Sequence, residues 1–291
     1  MDKPLVVGVD GSESSIRAAD WAVEEAARRG LRLRLIFASL WERYDGIALA
    51  GGLGRPPEEI AAQHVVASAA ERATRRHPEV RVSTEVVPHD AAETLITESG
   101  TAFAVVTGAR GRGGIAGLLL GSVSLTVAAH ARCPVVVVRG DKAGLAGTHG
   151  KILLGVGDAP VGSEAVRFAF EEAAVRRSTL SAVRTWRVPS HEDTDHPMMA
   201  GEPARFHKEQ ASLLLEKALE GDAADHPEIR LEQVTPEGPA TKVLVHRSAA
   251  ADLVIVGARR REGHFGLQLG RISHALLHHA QCPVVVVPHS T

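Results

Sequence analysis

Two hydrophobic periods alternate along the chain. Short apolar, β-branched runs have the length of buried strands. Between them lie longer stretches whose apolar residues recur at helical spacing. In the first half the runs predict strands over 5–10, 31–38, 80–87, 103–107 and 134–138. A first helix is predicted from a cap at Ser14 or Ser15 to Arg29, with Trp21, Ala22 and Ala26 on its buried face and Gly30 ending it. A second covers 58–76 and stops before Pro78. The third opens at the capping-box pattern Asp90-Ala-Ala-Glu93, and the fourth covers 122–132. Residues 39–57, with Gly51, Gly52 and Gly54, read as a long loop of the kind that serves as a lid or stays disordered. Strand–helix alternation with short connections predicts a parallel sheet with right-handed crossovers. Ligands of such sheets sit beyond the carboxyl ends of the strands, where strand order reverses. Asp10, ending strand one, and Gly108, ending strand four, are then required to be neighbours.

The same pattern occurs twice. Cys133 and Cys282 each precede Pro-Val-Val-Val-Val. Val7-Gly8-Val9 matches Leu154-Gly155-Val156, and Val106-Thr107-Gly108-Ala109-Arg110 matches Ile255-Val256-Gly257-Ala258-Arg259. The offset is close to about 148 residues, a whole domain. The second half accordingly predicts strands at 152–156, 179–186, 229–234, 253–257 and 284–287, and helices at 163–177, 202–220, 239–249 and 272–280. The expected organisation is a first domain over 1–139, a glycine-spaced linker over 140–150 and a second domain over 151–291. Each domain is expected to be an open, Rossmann-like α/β unit with a five-stranded parallel sheet and helices on both faces.

Composition supports layers rather than a large aromatic core. Hydrophobic residues make up 44% of the 291, but aromatics only 3%, so the cores must be built from Ala, Val and Leu, as suits sheets covered on both faces. A net charge of −2 with dispersed basic residues argues against a nucleic-acid surface. No apolar run reaches membrane-spanning length and no leader is visible, so the expected location is the cytoplasm. Two cysteines make no disulfide framework; each reads as a small buried residue at a strand entrance.

The chemistry concentrates in 105–124. Here a strand feeds six glycines within fourteen residues, and Ser122 then opens a helix. Backbone N–H groups and a helix start attract phosphate, and glycine lets the backbone approach it. No P-loop sequence is present. Gly111-Arg-Gly113-Gly-Ile-Ala116 is a weak dinucleotide match, but it follows the fourth strand rather than the first. The pattern that fits is Gly108-x-x-Gly111, nine residues, then Gly121-Ser122.

With Asp10 at the end of strand one and Cys133-Pro134-Val135 opening strand five, the chain resembles the universal stress protein family in its tandem-domain, ATP-binding form. The resemblance covers both halves. It implies strand order 3-2-1-4-5, a pseudo-twofold pairing of the halves, a possible homodimer, and a stress or dormancy regulator that binds ATP, with or without Mg²⁺. It also implies residue roles. Asp10 takes the ribose hydroxyls. Val9 and the end of strand two, Ala38 to Leu40, flank the adenine, and Gly8 belongs to the same nucleotide-binding set. Gly108, Ala109 and Gly111 carry the loop close to the sugar and phosphates, and Gly121, Ser122, Val123 and Ser124 donate to the phosphates. Arg110 and Arg112 either screen phosphate charge or point to water.

Bland readings stand beside these: the glycines as a flexible turn, and Asp10-Gly11-Ser12 as turn chemistry before a helix. The second half departs from the pattern. Gly257 and Gly270 are kept, but Gly157 stands for Asp10, Arg260 for the second glycine and Arg271 for the serine. This degenerate site is expected not to bind ATP as the first does. His274 and His278 share a helix face and His191 to His196 crowd one loop, but neither set has metal-ligand spacing, and no metal site is expected. No general base, loop lysine or metal-binding carboxylate pair is evident, so at most weak ATP hydrolysis is expected. A slow ATPase or adenylate-transferring enzyme, and a nucleotide-free interaction module, remain the alternative functions.

Overall fold

The computed structural model describes residues 3–40, 57–111, 120–158, 163–188, 202–258 and 269–289. They fall into two compact units that part between Arg139 and Gly140.

The first unit runs β1 (Leu5–Gly8), α1 (Glu13–Arg29), β2 (Leu33–Ala38), α2 (Pro57–Arg76), β3 (Val82–Val87), α3 (Ala91–Glu98), β4 (Ala104–Gly108), α4 (Ser122–His130) and β5 (Val135–Val138). Its sheet is parallel throughout, in the order β3-β2-β1-β4-β5. Order therefore reverses between β1 and β4, and the carboxyl ends of those strands are neighbours, as the ligand geometry requires. Val7 stands opposite Val106. Helices α1 and α2 pack together on one face and α3 and α4 on the other. The interiors of β1, β4 and β5 are almost all Val, Leu and Ala at near-zero exposure, whereas the edge strand β3 is half-buried to exposed along its length.

The second unit opens with a short helix α5 (Lys142–Ala146), inside the stretch read as a linker, capped by Asp141, which accepts from Gly144 N–H. The repeat follows: β6 (Lys151–Gly155), α6 (Glu164–Arg176), β7 (Thr179–Val183), α7 (Glu202–Asp225), β8 (Leu231–Val234), α8 (Ala240–Arg247), β9 (Leu253–Ala258), α9 (Arg271–His279) and β10 (Val284–Pro288). Its parallel order, β8-β7-β6-β9-β10, is that of the first unit. Even the buried charge repeats. Glu25 on α1 takes Arg29 Nε at 2.6 Å, and Glu172 on α6 takes Arg176 Nε at 2.8 Å.

Element ends differ from expectation for local reasons. The cap of α1 is Ser12, not Ser14 or Ser15; its Oγ accepts from Ser15 N–H at 3.2 Å. Ser14 and Ser15 are buried and otherwise engaged. Gly30 ends α1 in the left-handed region at φ 64°, and Leu31 N–H turns back to Ala26 O, so β2 starts at Leu33 rather than residue 31. Asp90 caps α3 through Ala92 and Glu93 N–H. Helix α7 runs past Gly221 to Asp225. The long loop expected at 39–57 falls mostly outside the described residues.

Both cysteines are buried. Desolvation pushes the Cys133 thiol up to about 12, which keeps it protonated and unreactive.

Candidate functional site

In the first unit the site forms where β1 and β4 end. Val9 N–H makes the last ladder bond, to Ile36 O at 2.9 Å. The chain then turns through Asp10 and Gly11, whose φ of 79° suits glycine. Asp10 Oδ1 accepts from Ser12 N–H at 2.9 Å, closing an Asx turn that starts α1. This is the turn chemistry foreseen as the bland reading, and it coexists with a second feature. A Cβ added at Gly111 would lie 2.8 Å from Asp10 Oδ2, so the carboxylate is held directly against the second glycine of the loop.

Two further bonds sew this turn to the strand-four loop, and a third ties the loop to α4. Arg110 N–H donates to Ser14 Oγ at 3.1 Å, Ser12 Oγ donates to Arg110 O at 3.4 Å, and Ser124 Oγ donates to Gly108 O at 2.7 Å. Gly108 is obligatory here: a Cβ would come within 2.6 Å of the Ser14 backbone carbonyl. Gly121 N–H donates to Ala109 O at 2.8 Å, which folds the start of α4 back onto the end of β4.

Helix α4 begins without a side-chain cap, because its N-cap is Gly121. Helices α1 and α3 use Ser12 and Asp90 for that purpose. The first-turn N–H groups of a helix have no intrahelical acceptor, so an uncapped start suits an anion. Ser122 is exposed there, Val123 half-buried and Ser124 buried with its proton committed to Gly108 O. The expected residues Gly8, Val9, Asp10, Gly108, Ala109, Arg110, Gly111, Gly121, Ser122, Val123 and Ser124 therefore cluster at the ends of β1 and β4 and the start of α4. Ala38 closes the end of β2, and Gly8 is pinned beneath by Leu95 of α3. Arg110 is exposed; Arg112 lies outside the described residues.

The second unit builds the same corner differently. Gly157, in the place of Asp10, is exposed, and a Cβ there would meet nothing within 4 Å. Asp158 is turned outward onto Arg184, whose Nη2 is 2.6 Å from Asp158 Oδ1 and whose Nη1 donates to Gly157 O at 2.6 Å. Arg184 follows β7 where Phe37 stands in β2. Beside Gly257 lies the imidazole of His289, 2.7 Å from where a Cβ would be. Arg271, exposed in the first turn of α9, puts a cation at the positive end of a helix whose N-cap, Gly270, carries no side chain. Arg260 lies outside the described residues. The corner encloses a cavity of about 290 Å³ lined by Val156, Val183, Arg184, Leu244, Val256 and His289, among others. Arg184 and His289 were missed in the sequence; aligning the two repeats position by position would have exposed Arg184.

Of the histidines, His274 and His278 on α9 stack with ring centroids 4.4 Å apart, while His191 and His196 lie outside the described residues. Among the described residues no three metal-ligating side chains converge. No helix among them is long and apolar enough to cross a membrane.

Comparison with known proteins agrees with this geometry. The chain matches the universal stress protein family over residues 1–139 and again over 148–288. It is 32% identical over 309 residues to a universal stress protein of Mycobacterium bovis, covering all of both chains. It is 30% identical over 292 residues to one of Mycobacterium tuberculosis, covering 98% of this chain and 96% of the relative. In fold it is similar to the crystal structure of a universal stress protein from Archaeoglobus fulgidus, with a TM-score of 0.67 at 16% identity over 99% of this chain and 97% of the other. The chain belongs to the universal stress protein family, with the family's domain present twice.

Proposed function

We propose that the first unit binds an adenine nucleotide, ATP in the simplest case, and that the protein is a cytoplasmic stress-response regulator whose output depends on that occupancy. One observation carries the reading: Asp10 Oδ2 lies 2.8 Å from the Cβ position of Gly111. A carboxylate that accepts two hydroxyls is thereby set beside a glycine cradle and an uncapped helix start. The residues fit the group. Asp10 receives the ribose, the Ala38 end of β2 borders the base, and the first-turn N–H groups of α4 with Ser122 receive the phosphates, with or without Mg²⁺. Family membership supports the regulatory role.

The test is thermal unfolding with and without ATP. A ligand that binds only the folded chain adds about 2.7 kcal/mol at a hundredfold excess over its dissociation constant, which for a domain of this size is a shift of several degrees. A shift in wild type that vanishes in Gly111→Ala is expected, as is nucleotide released from the purified protein and identified by mass. No shift at millimolar ATP would leave the first unit an interaction module.

A further inference from the structure

Thr107 is the one hydroxyl-bearing residue among the described residues whose side-chain oxygen is buried and has no hydrogen-bond partner. It is 3% exposed. The other buried hydroxyls at this end of the sheet are engaged: Ser14 accepts from Arg110 N–H, Ser15 donates to Ser12 O, and Ser124 donates to Gly108 O. A buried hydroxyl left without a partner is a net cost to the fold.

The repeat shows that the fold does not need it. Val7 pairs with Val106 in the first unit and Leu154 with Ile255 in the second, so Thr107 and Val256 hold the same place. Valine has the same shape without the hydroxyl. Residues alternate along a strand, and Gly108 faces Ser14 of α1, so Thr107 faces the layer of α3 and α4. The next step in the register sets it beside Gly8, as Val256 stands beside Gly155, whose Cβ position is 3.0 Å from Val256 Cγ1. In the second unit that place lines the cavity at the sheet's carboxyl end. In the first unit the same wall carries a hydroxyl that has no hydrogen-bond partner among the described residues.

We infer that Thr107 is a specificity-determining residue of the first unit's site, its hydroxyl bonding the nucleoside part of the ligand rather than the phosphates. This rests on the nucleotide reading above. Thr107 lies in the buried floor one residue before Gly108, whereas the uncapped helix start and exposed Ser122 are where anionic oxygens remain partly hydrated. A neutral hydroxyl, both donor and acceptor, matches a base edge or a ribose hydroxyl.

The test is isothermal titration of the full chain with ATP and with adenosine, in wild type, Thr107→Val and Thr107→Ser. Thr107→Val is expected to weaken both ligands by the same factor, about 3- to 10-fold. Thr107→Ser is expected to stay within about twofold of wild type. Without ligand, Thr107→Val is expected to melt about 2–4 °C higher, since it removes an unpaired buried hydroxyl. Wild-type binding that is unchanged in Thr107→Val overturns the inference alone, and the hydroxyl then serves a structural water. A lower melting temperature for ligand-free Thr107→Val overturns it too, since the hydroxyl then has a partner in the free protein. A wild-type chain that binds neither ligand overturns the nucleotide reading and this inference together.

Discussion

At the end of β1 the first unit carries Asp10 and, in the matching place, the second carries Gly157. Beside Gly108, the last residue of β4, stands the backbone of Ser14; beside its counterpart Gly257 stands the ring of His289. Strand order, register and even the Glu–Arg pair buried in the first helix are shared. The difference lies in the last few residues of the strands and the first turn of the helices. Gly108 and Gly257 still pair in the ladder, with Val138 and Val287, and are kept in both units, whereas the places of Asp10 and Ser122 lie beyond the named strands and carry Gly157 and Arg271 in the second unit. The comparison teaches that the two units share the scaffold, while the corner proposed to meet a ligand differs between them.

The largest effect is expected at Gly108. In Gly108→Ala the methyl meets backbone atoms that cannot move without shifting α1, so a loss of about 1–3 kcal/mol and of nucleotide binding is expected. In Gly257→Ala the methyl meets the far end of a side chain that can turn away, and less than about 1 kcal/mol is expected. Urea unfolding of the two variants makes the comparison directly, and equal losses would break it.

Next is Gly111→Ala, which displaces the Asp10 carboxylate rather than backbone. ATP affinity is expected to fall by more than about 30-fold, with stability within about 1 kcal/mol of wild type. Retained affinity would dissociate Asp10 from the ligand.

The reverse experiment restores the second corner. The triple variant Gly157→Asp, Arg260→Gly and Arg271→Ser is expected to gain a weak second site, raising ATP stoichiometry above that of wild type. An unchanged stoichiometry would assign the difference to Arg184 and His289 instead.

The smallest effect concerns the repeated His-Pro-Glu turns. His77 bonds Glu24 at 3.0 Å and Glu79 at 2.8 Å, and these bonds, Glu24 first, hold its pKa above the ordinary 6.5. Arg76 also faces Glu24, at 3.0 Å. A raised folded-state pKa contributes stability that is fully present below about pH 6.5 and lost as pH rises through the folded value. The matching His226 instead stacks on Phe170 and reaches Glu228 at 3.4 Å. His77→Gln is expected to remove a shallow decline in stability above about pH 6.5, while His226→Gln leaves it. Thermal melts from pH 6 to 9 check this.

The scaffold was legible in the sequence because its signals are redundant. The central strands are apolar runs, Gly30 and Asp90 mark helix ends, and the repeat states the strands and their crossover helices twice. The glycines of the loop were legible for the same kind of reason: their spacing is itself the signal. Side-chain commitments were not. The sequence cannot tell that Ser12 rather than Ser14 caps α1, because any of three serines satisfies the local rule and burial decides. Nor can it tell that Ser124 spends its proton on Gly108 O, or that Thr107 keeps an unpaired hydroxyl. Those facts depend on contacts between residues far apart in sequence. The helix at Lys142–Ala146 was missed because five residues are too few to show a hydrophobic period.

Titration of the full chain with ATP, counting moles bound per mole of chain, tests the central claim most directly. One site per chain, abolished by Gly111→Ala and untouched by Gly257→Ala, is the predicted result. Two equivalent sites per chain, or a single site that survives Gly111→Ala, would contradict it.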